Sequence, residues 1–298
     1  MRILVLGSAA GGGFPQWNCL CPVCQLAWSG DRRVKPRSQS SLAISADGER
    51  WLLLNASPDL RQQIIASPCL HPRGAKRHSP IGAVFVTNAE VDHLAGLLSL
   101  REQQPFTLFG SRATLAQTGA GIFAVLNKDI VDTRVAELEV PVDTGLGIFV
   151  TPFAVPGKVP LYLEGKNVAV GAESEATVGV ELSDGAKSFF YVPGCAGINE
   201  GVIKRLVGAA LVFFDGTTFT DDEMVNLGLS KKTAWRMGHV AMSGESGSLE
   251  RLASCAIGRK IYVHINNTNP VLIEDSPQRA AVERAGWDVA YDGMEICL

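Results

Sequence analysis

The 298-residue sequence predicts an α/β fold, two packed mixed sheets flanked by helices, on three observations. Short apolar, β-branched runs and helical patterns recur in both halves of the chain, as two sheets with helices outside require. No Pro- or Ser-rich linker separates the halves, so residues 1–298 are expected to form a single domain. The third is the stretch Thr87-Asn88-Ala89-Glu90-Val91-Asp92-His93, set between the apolar run Ala83 to Val86 and the helical pattern Leu94, Leu97, Leu98. A strand stopping at Thr87 and a helix starting near Asp92 would aim Asn88, Glu90, Asp92 and His93 at the strand's carboxyl end, where α/β proteins place their chemistry. Asp92 then lies close to a helix N-terminus, a favourable place for a carboxylate with or without a metal.

Composition bounds what surrounds that loop. With 46% hydrophobic residues and a slightly positive mean hydropathy, the chain can bury a sizeable core. The formal net charge of −3, with both signs interspersed, offers no basic face for nucleic acid and no polybasic anchor for a membrane. The apolar run Ile3 to Leu6 is too short for a signal peptide, and no run approaches the length that spans a bilayer. Of seven cysteines, three lie within six residues and the rest are scattered. An odd count so arranged fits a cytoplasmic chain with a metal knot better than a disulfide framework.

In chain order, Ile3 to Leu6 reads as a buried strand and Gly7 to Gly13 as the turn after it. No Gly-Lys-Ser/Thr follows and the spacing is not Gly-x-Gly-x-x-Gly, so the glycines serve close packing or backbone approach rather than a phosphate. Leu42 and Ile44, the turn Ala46-Asp47-Gly48 and Trp51 to Leu54 make a β-hairpin signature. Ser57 is placed to cap a helix with Pro58 at its first position. His71 and His78, in a Pro-, Gly- and Lys/Arg-rich loop, read as solvated. Phe106 to Phe109 reads as a strand and Arg112 onward as a helix. Gly147 to Phe153, Val159 to Leu163, Val168 to Gly171, Val178 to Leu182 and Phe189 to Val192 suggest a second sheet. The last third alternates again: helices near Asn199 to Leu206, Ser246 to Cys255 and Gln278 to Ala285, with strands Leu211 to Phe214 and Ile261 to Val263.

Two groups of side chains carry chemistry. Cys19, Cys21 and Cys24 form a C-x-C-x-x-C cluster that lets one short loop turn three thiolates onto a structural zinc ion, the fourth ligand coming from elsewhere. Buried free thiols or a redox Cys-x-x-Cys are the alternatives. Asp215 follows a strand in Phe-Phe-Asp-Gly-Thr-Thr-Phe, His239 lies in Met-Gly-His-Val-Ala-Met-Ser, and His264 ends a strand in Tyr-Val-His-Ile-Asn-Asn-Thr-Asn-Pro. Each alone reads equally as a loop cap or a satisfied core histidine.

The frame Asn88-x-Glu90-x-Asp92-His93-x-x-Gly96-Leu97 resembles the His-x-His-x-Asp-His-x-x-Gly-Leu loop of the metallo-β-lactamase superfamily, with Asn88 and Glu90 in place of two histidines. This variant, the cysteine triplet and the His-Ile-Asn-Asn-Thr-Asn-Pro segment are similar to those of superfamily members serving pyrroloquinoline quinone (PQQ) biosynthesis, and the likeness covers nearly the whole chain. The stretch Gly7 to Cys24 and the tail Tyr291 to Ile296 also resemble the phosphodiesterase of the carbon-phosphorus lyase pathway. The resemblance implies an αββα sandwich. It places the superfamily's third histidine of the first metal position at Gly157, its bridging aspartate near Gly194, and the phosphodiesterase's zinc-binding histidine at Asn267, a possible fourth position near the zinc. It implies that Asp92, His93 and His264 keep one metal. Two imidazoles and a carboxylate with open positions suit non-haem iron(II), although zinc and other divalent ions accept the same ligands.

The implied activity is an iron-dependent oxygenase, with dioxygen as co-substrate, that hydroxylates the tyrosine ring of a small-molecule or dipeptide Glu-Tyr-derived precursor. Glu90, Asp215 and His239 are then the candidate acids and bases. Two other classes share these residues: a metal-dependent hydrolase that recruits a second ion through Glu90, and a noncatalytic carrier of PQQ or its precursor.

Overall fold

The computed structural model describes all 298 residues. Strict alternation in each strand explains its layers. In strand Arg2–Gly7, Ile3 and Val5 face one apolar cluster while Leu4 and Leu6 face another. Strand Leu211–Asp215 does the same, with Leu211 and Phe213 on one side and Val212 and Phe214 on the other. Period-two side chains that are apolar on both faces belong to a sheet covered on both sides. Three stacked cores result, one between the sheets and one under the helices of each sheet, so the layers run helix, sheet, sheet, helix.

The first seven-stranded sheet runs Glu295–Cys297, Arg2–Gly7, Ser41–Ser45, Trp51–Leu54, Ile81–Val86, Phe106–Gly110, Val131–Val135. Its last four strands are parallel neighbours. The second runs Trp287–Val289, Arg259–Val263, Leu211–Asp215, Ser188–Val192, Ala172–Ser183, Phe149–Gly157, Val142–Asp143, parallel over its first four strands. The carboxyl ends of Ile81–Val86, Ser188–Val192, Leu211–Asp215 and Arg259–Val263 converge on one cavity. There the Val178 N–H donates to the Thr87 carbonyl at 3.1 Å, joining the two sheets.

Several expected elements differ. Ser57 caps nothing: helix Leu60–Ala66 begins after Asp59, and the Ser57 hydroxyl donates to Gln63 Oε1. The runs Val159 to Leu163 and Val168 to Gly171 are not strands. Pairing between Phe149–Gly157 and Ala172–Ser183 ends at Gly157 opposite Ala172, so residues 158–171 are the connection of that hairpin and have no partner to pair with. The helices after Arg112 and near Ser246 shorten to Arg112–Leu115 and Ser248–Arg251. Strands Val131–Val135, Trp287–Val289 and Glu295–Cys297 carry too few apolar residues to announce themselves and are fixed by their neighbours. No helix is long and apolar enough to cross a membrane.

Candidate metal centre

Helix Val91–Leu94 starts three residues past Asn88, whose Oδ1 accepts the Glu90 N–H at 2.9 Å and turns the chain out of its strand. That turn places Asp92 and His93 in the first helical turn, facing His264 across the inter-sheet gap. Asp92, His93 and His264 present ligand atoms all within 4.8 Å of one another. They line a cavity of about 180 Å³ with Glu90, His239 and Gly11. A Cβ on Gly11 would stand 3.4 Å from Asp92 Oδ2, so the glycine turn lets bare backbone approach the carboxylate.

The protonation of this group is fixed by its supports. Thr217 Oγ–H donates to Asp215 Oδ1 at 2.7 Å, which leaves its oxygen to accept from His264 Nδ1 at 2.9 Å. His264 therefore carries its proton on Nδ1 and turns the Nε2 lone pair towards Asp92 Oδ2, 3.0 Å away. Two acceptors that close require a proton or a cation between them. Burial alone would lower the His264 pKa, but the hydrogen bond and charge of Asp92 hold it above the ordinary histidine range. Burial also opposes ionisation of Asp92, yet its histidine neighbours keep the carboxyl below the usual carboxylate range. The His264 contact is the one that persists at pH 7, since burial pushes His93 down to about 4 and leaves it neutral.

His93 is 2% exposed, and its Nε2 has no hydrogen-bond partner. Its Nδ1 lies 3.5 Å from Thr87 Oγ1, which itself donates to Asn55 Oδ1 at 3.1 Å. A buried, neutral imidazole with an unpartnered lone pair is costly unless something accepts it. His264 adds a second cost, a φ of +56° in a residue that is not glycine. An orphaned donor atom, a backbone held in a rare conformation and a carboxylate beside it fit a divalent metal with two imidazoles and one carboxylate.

The remaining expected residues fall as follows. Asp215 is fully buried and all its acceptor directions are used, by Cys195 N, Thr217 N, Thr217 Oγ1 and His239 Nδ1. It is ionised, since His239 and Thr217 outweigh burial. His239 donates its Nδ1 proton to Asp215 at 2.8 Å, stacks on His264 and lines the cavity with Nε2 uncommitted. Glu90 reaches the cavity wall but is engaged: Oε1 takes Lys158 Nζ at 3.0 Å and both oxygens approach the Leu161 N–H. His71 and His78 stay in their loop, bonded to Ile65 O and the Arg73 N–H. Asn55, Thr87 and Thr217, which orient the ligands, carried no sequence signal beyond lying at strand ends.

At Gly157, where the resemblance implies a histidine of the first metal position, there is no room for a side chain. A Cβ on Gly157 would sit 2.5 Å from Thr177 Cβ, and Thr177 Oγ1 is bonded to Lys158 O at 3.0 Å. Gly157→His is therefore expected to lower stability by about 1–3 kcal/mol through overpacking rather than create a second site. Melting temperature and metal stoichiometry check this, and one additional tight ion per chain would refute it.

Cys19, Cys21 and Cys24, all buried, gather their sulfurs at the start of helix Pro22–Trp28. Burial pushes the Cys21 thiol up to about 12 and raises Cys24. Three such sulfurs ionise together only around a cation. The Asn267 amide nitrogen donates to the sulfurs of Cys19, Cys21 and Cys24 at 3.2, 3.8 and 3.3 Å.

A model of the Beta-lactamase superfamily domain matches residues 50–265. Coenzyme PQQ synthesis protein B of Methylorubrum extorquens strain AM1 is 55% identical over the full length of both chains. The protein of that name from Xanthomonas campestris pv. campestris is 51% identical, again over both full lengths. The crystal structure of Zn(2+)-bound PqqB from Methylobacterium extorquens superposes with a TM-score of 0.98 at 55% identity, covering all of both chains. A diphosphatase of the PhnP family, at 19% identity and a TM-score of 0.66 over all of this chain and 97% of its own, shares the fold. With the triad Asp92, His93 and His264 and the overlapping group Asp215, His239 and His264 at the inter-sheet cavity, and the cysteine cluster as a third, the chain belongs to the coenzyme PQQ synthesis protein B family, PqqB, of the β-lactamase superfamily.

Proposed function

We propose that this protein acts in PQQ biosynthesis as an iron(II)-dependent oxygenase that hydroxylates the tyrosine ring of a Glu-Tyr-derived precursor. The observation that carries the reading is the pair formed by one open triad, Asp92, His93 and His264, and a first metal position at which Thr177 leaves Gly157 no room for a side chain. One ion with open coordination positions suits oxygen chemistry, whereas the paired ions of superfamily hydrolases need ligands that this chain lacks. Bound iron(II) would supply the redox chemistry with dioxygen that protein side chains do not have. The chain's own residues do the rest. Asp215 holds the His239 proton on Nδ1, so Nε2 is a base facing the cavity, able to take the proton released from ring or hydroxyl. Glu90, tied to Lys158 and Leu161, fixes the connection 158–164 at the cavity mouth.

Placing one oxygen atom on the ring leaves the other to be reduced to water, so the reaction draws two electrons from an external reductant. Anaerobic loading with iron(II), followed by oxygen uptake with a Glu-Tyr precursor and a small-molecule two-electron reductant, tests the reading. Uptake matched to hydroxylated product is expected. Tight PQQ binding without uptake would favour a carrier, and phosphoester turnover with zinc a hydrolase.

The cysteine cluster is assigned a structural zinc held by Cys19, Cys21 and Cys24. Asn267, whose amide nitrogen faces the sulfurs, supports the thiolate charge by donation rather than filling the fourth position. Cys21→Ser is expected to lower zinc content and melting temperature together, because a structural ion contributes folding free energy directly. Unchanged zinc per chain in the purified variant would rule the assignment out.

A further inference from the structure

The cysteine cluster and the metal triad are built on the same short segments. Asn267, three residues after His264, sets its amide 3.2–3.8 Å from the three sulfurs. Its carbonyl lies 3.7 Å from Cys21 Sγ. Between them, Ile265 is clamped from both sides: its N–H donates to Ser8 O and its carbonyl accepts from Ala10 N, both at 2.9 Å. Ser8 and Ala10 lead directly into Gly11, which packs on Asp92, and then into the cysteine loop. His264 sits at φ +56°, a conformation that a histidine keeps only when its surroundings over-determine it. Those surroundings are Thr217, which takes Nδ1, and the clamped segment that ends at Asn267.

We propose that Asn267 is a positioning residue for the metal centre, tying His264 to Cys19, Cys21 and Cys24 so that occupancy of the cysteine site sets the affinity of the triad. This rests on the triad being a metal site. Filled, the cluster gives the Asn267 head a fixed charged partner. Emptied, it offers neutral thiols, and the loop bearing His264 loses the anchor at its Asn267 end while keeping those at Thr217, Ser8 and Ala10.

Cobalt(II) is the probe, since cobalt on thiolates gives intense near-ultraviolet charge-transfer bands and cobalt on imidazole and carboxylate gives only weak visible bands. In Asn267→Ala the charge-transfer signal is expected to remain while triad cobalt binds roughly 10–100-fold more weakly, the usual effect of losing an outer support. Asn267→Gln, which keeps an amide N–H donor, is expected to recover part of it. In the unmodified protein, reciprocity requires that filling the triad raise the cluster's affinity by the same factor as filling the cluster raises that of the triad. Triad affinity in Asn267→Ala within about twofold of the parent, with unchanged visible bands, overturns the proposal. Should that variant fail to fold, equal triad affinity in the parent with its cluster empty and filled does the same. A parent protein showing charge-transfer bands alone defeats the triad reading, and the coupling falls with it.

Discussion

His264→Ala is expected to strip most of the active-site metal, by more than the roughly 10–100-fold typical of losing an outer partner, because it removes a bond to the ion itself. The same loss is expected for Asp92→Asn and His93→Ala. The fold should survive, since the three apolar cores and the cysteine cluster lie outside the triad. A satisfied core histidine would behave in the opposite way, losing stability and keeping metal. His264→Gly sharpens the contrast. Alanine inherits the φ of +56° and its strain, whereas glycine relieves a conformation that costs about 1–3 kcal/mol. The glycine variant should therefore melt higher than the alanine variant while both bind little metal. Iron per chain and melting temperature, measured on the two side by side, decide the matter. Full iron in either one sinks the triad.

His239→Ala should leave iron in place and cost about 10²–10⁴ in rate, the range for a general acid or base. Its Nδ1 proton is held by Asp215 and it lines the cavity with Nε2 uncommitted, which gives it a proton site beside the metal. Asp215→Asn should do more than copy it. The carboxylate orients His239 directly and His264 through Thr217, so the amide disturbs both rings. The expected signature is a comparable rate loss together with roughly 10–100-fold weaker metal binding. Iron titration of the two variants separates the roles: equal affinity in both would mean that the Asp215–Thr217–His264 chain does not hold the ligand.

Local pattern alone made the sandwich legible. Alternating apolar residues such as Ile3 and Val5 against Leu4 and Leu6, or Phe213 against Phe214, identify strands buried on both faces. The Asn-x-Glu-x-Asp-His frame and the cysteine triplet put chemistry-bearing residue types at spacings that only a few folds use. The sequence also marked Asp215, His239 and His264 as strand-end or loop residues worth testing, because each follows or flanks an apolar run. What it did not contain was the company these residues keep. Val159 to Leu163 has the composition of a strand, yet it lies in the connection of a hairpin whose two strands pair with each other, and pairing is a property of two segments rather than one. Glu90 reads as an acid or base until Lys158, 68 residues away, is found on its carboxylate. That Gly157 has no room for a side chain needed its contact with Thr177, from the adjoining strand. The proton on His264 is set by Thr217, 47 residues earlier. Residue type and spacing therefore determined which atoms could bind or ionise. Only the folded chain, by bringing distant hydrogen-bond partners within about 3 Å, decided which lone pairs are left free to do so.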